Sequence, residues 1–183
     1  MQPKLQKPAP CPALVIGYGN ELRGDDGAGP QVAAAVAQWN LSGVCALSFP
    51  QLTPELADAI AQARLVIFVD AVAGPARAVQ VRELAPRDGA RSTGHASDPQ
   101  ALLALTRAVF GRCPRAWLVT IPAMDFEVGR PLSSVAREGI PAALEQVRNL
   151  VGGFADGVVD QTNPSPPSGS AARAPDRFRE RQA

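Results

Sequence analysis

The sequence predicts a single α/β domain with three layers, α/β/α, in which a twisted and mainly parallel sheet lies between helices. Three observations support this prediction. Short apolar runs recur along the chain, amphipathic segments lie between them, and capping residues mark where several of those segments begin. Strands that are apolar on both faces are typical of parallel sheets covered by helices on both sides. At 183 residues the chain is long enough for one domain with a hydrophobic core.

The first elements are a strand, a helix and a second strand. The apolar run 13–18 predicts a buried strand. In the segment that follows, Val32, Val36 and Trp39 recur at i, i+4 and i+7, which places them on one face of a helix. The apolar segment 43–49 then predicts the second strand. This alternation is typical of parallel sheets with helical crossovers.

The next elements are a helix and two strands. Thr53 is the expected N-cap of the helix, and Pro54 suits its first position, where a backbone N–H is not needed. The run 65–71 is apolar up to its aspartate and predicts a buried strand. The segment 78–84 alternates between polar and apolar residues, which predicts an edge or half-exposed strand.

A third helix and a fifth strand follow. Asp98 is the expected N-cap of the helix, Pro99 lies in its first turn, and Gly111 marks its end. The apolar run 116–123 predicts the last strand. Right-handed crossovers in such a chain would place helices on both faces of the sheet.

The chain ends with a long helix and a tail. The helix is predicted over about 133–151, and Pro141 should kink it or divide it in two. The residues from 155 to 183 are rich in Pro, Ser and Arg, and this composition predicts a disordered tail. Residues 1–10 are predicted to be a flexible segment, so the folded domain is expected to occupy 11–154.

Composition excludes several classes of function. The net charge of +1 offers no field strong enough to recruit nucleic acid or a membrane, and neither partner is expected. No apolar run approaches the length of a membrane span, and the N-terminal residues lack the apolar core of a signal peptide, so we expect a cytoplasmic protein. Cys11, Cys45 and Cys113 are widely spaced, and we expect them to be reduced thiols.

Acidic residues follow two of the predicted parallel strands. Asp25 and Asp26 come after the first strand, and Asp70 ends the third. The single histidine, His95, lies in a loop before a capped helix. Ligands bind beyond the carboxyl ends of strands in such sheets, so these loops could meet at one edge. Carboxylates and an imidazole suit a divalent cation such as zinc or nickel, and a cation would offset the repulsion between neighbouring carboxylates.

Each of these residues also has a structural explanation. Asp25 and Asp26 could cap the first helix or accept hydrogen bonds from loop amides, and for Asp25 that explanation is favoured. A single loop histidine is more often a surface residue than a ligand. Gly19 and Asn20 could form a tight backbone turn, and the GxGxxG pattern of dinucleotide-binding loops is absent. The residues alone therefore leave the site open.

Four motifs together resemble a known family. The stretch "IGYGNELRGDDGAGPQVA" is followed, in order, by "VIFVDA", "GHASDP" and "AWLVTIPA". From about residue 13 to residue 151 the chain resembles the nickel-iron hydrogenase maturation endopeptidases. "GYGNELRGDDG" and "QLTPELA" look most like the branch that serves bidirectional, NAD-reducing hydrogenases.

The resemblance implies a set of site residues. The family's three metal-contacting positions fall on Asp26, Asp70 and His95, to which the resemblance also assigns the catalytic role. Some family members carry Glu where this chain has Asp26, which keeps the carboxylate but changes its reach. Contacts to the substrate are assigned to the neighbouring residues Gly19, Asn20 and Asp25.

The resemblance also implies a reaction. It is the cleavage of one peptide bond, which removes a C-terminal extension from the precursor of a hydrogenase large subunit after nickel insertion. The nickel is supplied by the precursor, no organic cofactor is expected, and the enzyme is expected to be a monomer. Two alternatives remain: a non-catalytic, nickel-dependent checkpoint or chaperone that binds the precursor, and a small-molecule hydrolase on the same scaffold.

Overall fold

The fold is a five-stranded sheet between two pairs of helices. A computed structural model describes residues 11–74, 78–87 and 98–155. The strands are β1 (Ala13–Tyr18), β2 (Val44–Phe49), β3 (Leu65–Ala73), β4 (Gln80–Leu84) and β5 (Arg115–Ala123). The helices are α1 (Ala28–Ala37), α2 (Leu56–Gln62), α3 (Pro99–Phe110) and α4 (Ser134–Ala155). The predicted fold class is confirmed.

The strand order in the sheet is β2-β1-β3-β5-β4. β1 pairs in parallel with both β2 and β3, and β3 pairs in parallel with β5. β4 is antiparallel to β5 and forms one edge, as its alternating sequence predicts. The chain moves from β1 outward to β2 and then returns across β1 to β3. The strand order therefore reverses between β1 and β3, which is where open α/β sheets bind ligands.

The two faces of the sheet bury separate sets of side chains. α1 and α4 cover one face with residues such as Val32, Val36 and Val147. α2 and α3 cover the other face, where Ile60 and Leu103 are fully buried. The alternate residues of β1 and β3 divide between these two cores, because successive side chains of a strand point to opposite faces. This burial explains why β1, and β3 up to Asp70, are apolar on both faces.

A close approach of α1 to the sheet requires glycine at position 29. A Cβ atom on Gly29 would lie 2.5 Å from the carbonyl oxygen of Val69 and 2.7 Å from that of Tyr18. Any larger residue would push the start of α1 away from β1 and β3. The glycine therefore allows the first turn of α1 to lie directly against the ends of both strands.

The predicted start of α2 is wrong by about two residues. The helix begins at Leu56, and its N-cap is Glu55, not Thr53. The backbone N–H groups of Leu56 and Ala57 donate to the carbonyl oxygens of Thr53 and Pro54, at 3.1 Å in both cases. These bonds between residues three apart form a turn that precedes the helix. By contrast, α3 begins and ends at the predicted capping residues, Asp98 and Gly111.

Pro141 does not divide the last helix. α4 runs unbroken from Ser134 to Ala155 with Pro141 inside it. Pro141 is exposed, whereas Ala136 and Ala143, which flank it, are buried. Packing of the apolar face on both sides of the proline offsets the roughly 3 kcal/mol that an interior proline costs a helix.

Two of the cysteines are not the reduced thiols that we expected. Cys11 and Cys45 form a disulfide, with their Cα atoms 5.8 Å apart. β1 and β2 are parallel neighbours with Ala13 opposite Val44, so the chain just before β1 runs close to the start of β2. The disulfide thus joins the segment before β1 to β2, and its two cysteines are 34 residues apart in sequence. Cys113 is a free, half-buried thiol.

Some predictions lie outside the described residues. These include the flexible segment 1–10, nearly all of the predicted tail at 155–183, and the predicted loop that carries His95. Within the described ranges, no helix is both long and apolar enough to cross a membrane.

Candidate functional site

A polar cavity lies where β1 and β3 end, at the point where the strand order reverses. Its volume is about 520 Å³. It is lined by Tyr18, Gly19, Asn20, Arg23, Asp26, Pro50, Gln51, Asp70 and Ala71. Two of the predicted site carboxylates, Asp26 and Asp70, therefore face one cavity, together with the predicted substrate-contacting residues Gly19 and Asn20.

Asp26 is held by the loop that follows β1. It lies in a single 3₁₀ turn, Gly24–Gly27, and is partly buried. Its Oδ2 atom accepts a hydrogen bond from the backbone N–H of Asn20 at 2.8 Å. The Asn20 Oδ1 atom in turn accepts from the backbone N–H of Leu22 at 3.0 Å, which stabilises the turn.

Gly19 makes this loop conformation possible. Its φ of 135° belongs to a region that side chains rarely adopt. A Cβ atom at this position would lie 2.0 Å from the backbone carbonyl oxygen of Asp26. Glycine therefore allows the chain leaving β1 to pass directly against the turn that carries Asp26.

Asp70 stands at the end of the buried part of β3, with both carboxylate oxygens engaged. Oδ2 accepts from the Tyr18 hydroxyl at 2.8 Å, and Oδ1 accepts from the backbone N–H of Ala71 at 2.8 Å. Burial raises the pKa of Asp70 to about 6, and the charge of Asp26 adds to this rise. The bonds from Tyr18 and Ala71 act in the opposite direction. The two cavity carboxylates are thus close enough to interact electrostatically.

Asp25, the third residue that we expected to contact the substrate, is buried and held by hydrogen bonds. Its side chain is 0% exposed, and it is not among the lining residues of the cavity. Its carboxylate accepts hydrogen bonds from the backbone N–H groups of Met124, Asp125 and Ser133 at 2.6–3.0 Å, and from the Ser133 hydroxyl at 2.8 Å. Burial alone would raise the pKa of Asp25, but these bonds together lower it. Asp25 joins the loop after β1 to the segment between β5 and α4.

Two further residues, Tyr18 and Arg23, line the cavity although no sequence motif predicted them as site residues. Tyr18 is the single tyrosine of the chain, and its position between Gly17 and Gly19 is the signal that could have identified it. Burial and the neighbouring Asp70 carboxylate raise the pKa of its hydroxyl above the usual range. Arg23 is exposed, and its Nε donates to the carbonyl oxygen of Phe126 at 3.3 Å.

The third predicted ligand, His95, lies outside the described residues. In the ranges that the structure describes, no group of three His, Cys, Asp or Glu side chains is arranged to hold a metal ion. The cavity therefore contributes two carboxylates from this part of the chain, and a third ligand would have to come from elsewhere. Two carboxylates in different environments can bind a cation and accept a proton from water.

The described lining residues of the cavity include no serine, threonine or cysteine. A covalent mechanism that uses one of these nucleophiles therefore has no support among them. Attack by water, activated by a carboxylate or a cation, fits the side chains that are present.

This chain is similar in structure to several solved proteins. No family model and no curated protein sequence matches this chain. The hydrogenase maturating endopeptidase HybD from E. coli superposes with a TM-score of 0.64 at 22% identity, over 79% of this chain and 93% of that one. The NiFe hydrogenase maturation protease HycI from Thermococcus kodakarensis KOD1 gives 0.60 at 19% identity, over 78% and 93%. At these identities the similarity shows a shared fold.

A third solved structure has a higher sequence identity. The hydrogenase 2 maturation peptidase from Thaumarchaeota archaeon SCGC_AB-539-E09 is 26% identical to this chain, with a TM-score of 0.58. The alignment covers 76% of this chain and 97% of that one. Nearly the whole of each of these three proteins therefore corresponds to about three quarters of this chain.

Proposed function

We propose that this protein is a hydrogenase maturation endopeptidase, which removes the C-terminal extension of a nickel-iron hydrogenase large-subunit precursor after nickel insertion. The observation that carries the proposal is the meeting of Asp26 and Asp70 in one cavity beyond β1 and β3. The solved structures that share this fold, which carry the names of hydrogenase maturation proteases, support it.

In this proposal the nickel belongs to the substrate. Asp26 and Asp70 contact the nickel of the precursor, and His95 supplies the third contact. A cavity of about 520 Å³ leaves room for the peptide bond beside these carboxylates. Binding of the nickel thus aligns the scissile bond with the site, and a precursor without nickel lacks this anchor.

The proposed chemistry is hydrolysis by water. A carboxylate of the site accepts a proton from water as the water oxygen attacks the carbonyl carbon of the scissile bond. The C–N bond then breaks as the protonated carboxyl group returns this proton to the nitrogen of the leaving amine. The products are the shortened large subunit and one free C-terminal peptide.

The class of hydrogenase, the oligomeric state and the location of the protein are proposed from the sequence. The motifs "GYGNELRGDDG" and "QLTPELA" favour a substrate from the bidirectional, NAD-reducing branch of hydrogenases. We also propose a monomeric, cytoplasmic enzyme without an organic cofactor. The Cys11–Cys45 disulfide is more typical of oxidising compartments, so cell fractionation is the appropriate test of location.

Cleavage of a nickel-loaded precursor tests the activity and the site together. The wild-type protein should release one C-terminal peptide, detected as a loss of defined mass from the large subunit. Asp26→Asn, Asp70→Asn and His95→Ala should each slow cleavage at least about 100-fold, because each removes a contact to the nickel. Asp58→Asn is the control, since Asp58 is an exposed carboxylate on α2 that does not line the cavity.

Two results would contradict the proposal. If the three site variants cleave at the wild-type rate, the site is wrong whatever the fold. If the wild-type protein binds the loaded precursor without cutting it, the protein is a checkpoint and not a peptidase.

A further inference from the structure

The hydroxyl of Tyr18 has one described partner, and that partner is a site carboxylate. Tyr18 is the last residue of β1, and its ring lies in the core beneath the cavity, where it is 6% exposed. Its hydroxyl donates to Asp70 Oδ2 at 2.8 Å, across 52 residues of sequence. The contact therefore links the ends of the two strands between which the strand order reverses.

We propose that Tyr18 is a positioning residue. Its hydroxyl holds the Asp70 carboxylate in the orientation in which Asp70 contacts the precursor. This inference rests on the proposed function and adds a residue to the site. Tyr18 acts through Asp70, so its contribution is to the geometry of the carboxylate.

The Asp70 carboxylate needs two hydrogen bonds to be held in one orientation. Asp70 interacts with its own strand through the bond from the Ala71 N–H to Oδ1. That bond alone holds one carboxylate oxygen, and the carboxylate group can still rotate about it. The bond from Tyr18 fixes the second oxygen, so the carboxylate plane has one orientation toward the cavity.

The rigid setting of Tyr18 makes it suited to this task. Its ring belongs to the same hydrophobic cluster as the fully buried residues Leu52 and Phe68, and it has two side-chain torsions to restrain. Gly19 directly follows, so the loop that carries Asp26 begins one residue beyond the ring. The position of the hydroxyl is therefore set by the core and not by solvent-exposed loops.

The first test removes the hydroxyl and keeps the ring. Tyr18→Phe should lower kcat for cleavage of the nickel-loaded precursor about tenfold or more, with KM within about twofold, as expected for loss of a bond that orients a metal-contacting ligand. The matched control is Thr106→Val, which removes another buried hydroxyl, one that donates to Leu102 in α3 away from the cavity. The control should leave kcat unchanged even where it lowers the melting temperature.

The second test separates action through Asp70 from direct action on the substrate. In the Asp70→Asn background, adding Tyr18→Phe should reduce residual cleavage no further, measured over long incubations. A further reduction would show that Tyr18 touches the substrate itself and would overturn the positioning role.

The third test does not depend on activity. Crystal structures of the wild-type protein and of Tyr18→Phe should show one Asp70 orientation in the former and a changed or divided orientation in the latter. An unchanged Asp70 would overturn the inference, and so would a changed Asp70 with unchanged kcat. If the wild-type protein cuts no precursor, the proposed function fails, and the crystal structures alone decide whether Tyr18 orients Asp70.

Discussion

Asp25 and Asp26 are neighbours in the chain but differ in environment. The Asp25 carboxylate is fully buried and accepts hydrogen bonds from the segment between β5 and α4. The Asp26 carboxylate is partly exposed and lines the cavity. Two adjacent carboxylates can coexist here because the hydrogen bonds to Asp25 stabilise its charge away from the cavity.

Stability measurements should separate the two residues. Asp25→Ala should lower the free energy of unfolding by about 3 kcal/mol, because it leaves several buried donors without an acceptor. Asp26→Ala should lower it by about 1 kcal/mol or less, since it removes one bond, from Asn20. Urea denaturation of both variants measures the difference. A nearly neutral Asp25→Ala would contradict the structural role of Asp25.

Asp70 should make stability depend on pH. Its pKa is about 6 in the folded protein, whereas an exposed aspartate has a pKa of 3.8. The folded state therefore binds a proton at Asp70 more tightly than the unfolded state does. The contribution of this proton to the free energy of unfolding is complete below about pH 4 and is lost as the pH rises through 6. The upper limit of this loss is about 3 kcal/mol.

Asp70→Asn should remove this dependence. The free energy of unfolding of the variant minus that of the wild type should rise by up to about 3 kcal/mol between pH 4 and pH 7. Urea denaturation with a chelator present measures it, and Asp58→Asn serves as the exposed-carboxylate control. A difference that stays constant, or falls as pH rises, would show that Asp70 is not a desolvated carboxylate.

At the scale of elements, the Cys11–Cys45 disulfide ties the segment before β1 to β2. Closing a loop of this length stabilises a fold by about 3–4 kcal/mol in the chain-entropy description. Once the disulfide has formed, a count of reactive thiols in the unfolded protein should give one. The count should rise to three after a reductant is added. Cys45→Ser should lower the melting temperature of the oxidised protein to that of the reduced wild type. Three reactive thiols after oxidation would contradict the disulfide.

Elements governed by local signals were predictable from the sequence. α3 begins at Asp98, whose Oδ1 accepts from the Gln100 N–H at 2.9 Å, and ends at Gly111 with a φ of 69°. The start of α2 was not predictable, since Thr53 is a common capping residue that here takes part in a preceding turn. The effect of Pro141 also depends on packing against the sheet, which no local pattern reports.

At the scale of the whole molecule, the sheet topology decides which loops meet. Apolar runs predicted parallel strands, and the carboxyl ends of such strands predicted where Asp26 and Asp70 would lie. Contacts between distant segments could not be predicted: Tyr18 with Asp70 is separated by 52 residues, and Asp25 with Ser133 by 108. Their partners depend on strand order and register, which single residues do not encode. His95 lies outside the described residues and stays a prediction.

Nickel-dependent cleavage is tested most directly by comparing two forms of one substrate. The large-subunit precursor, loaded with nickel or free of it, is incubated with this protein, and the intact mass of the large subunit is then measured. The proposed function predicts the loss of one C-terminal peptide from the nickel-loaded precursor and no loss from the nickel-free precursor. Equal cleavage of both forms would contradict the nickel signal, and no cleavage of either would contradict the peptidase.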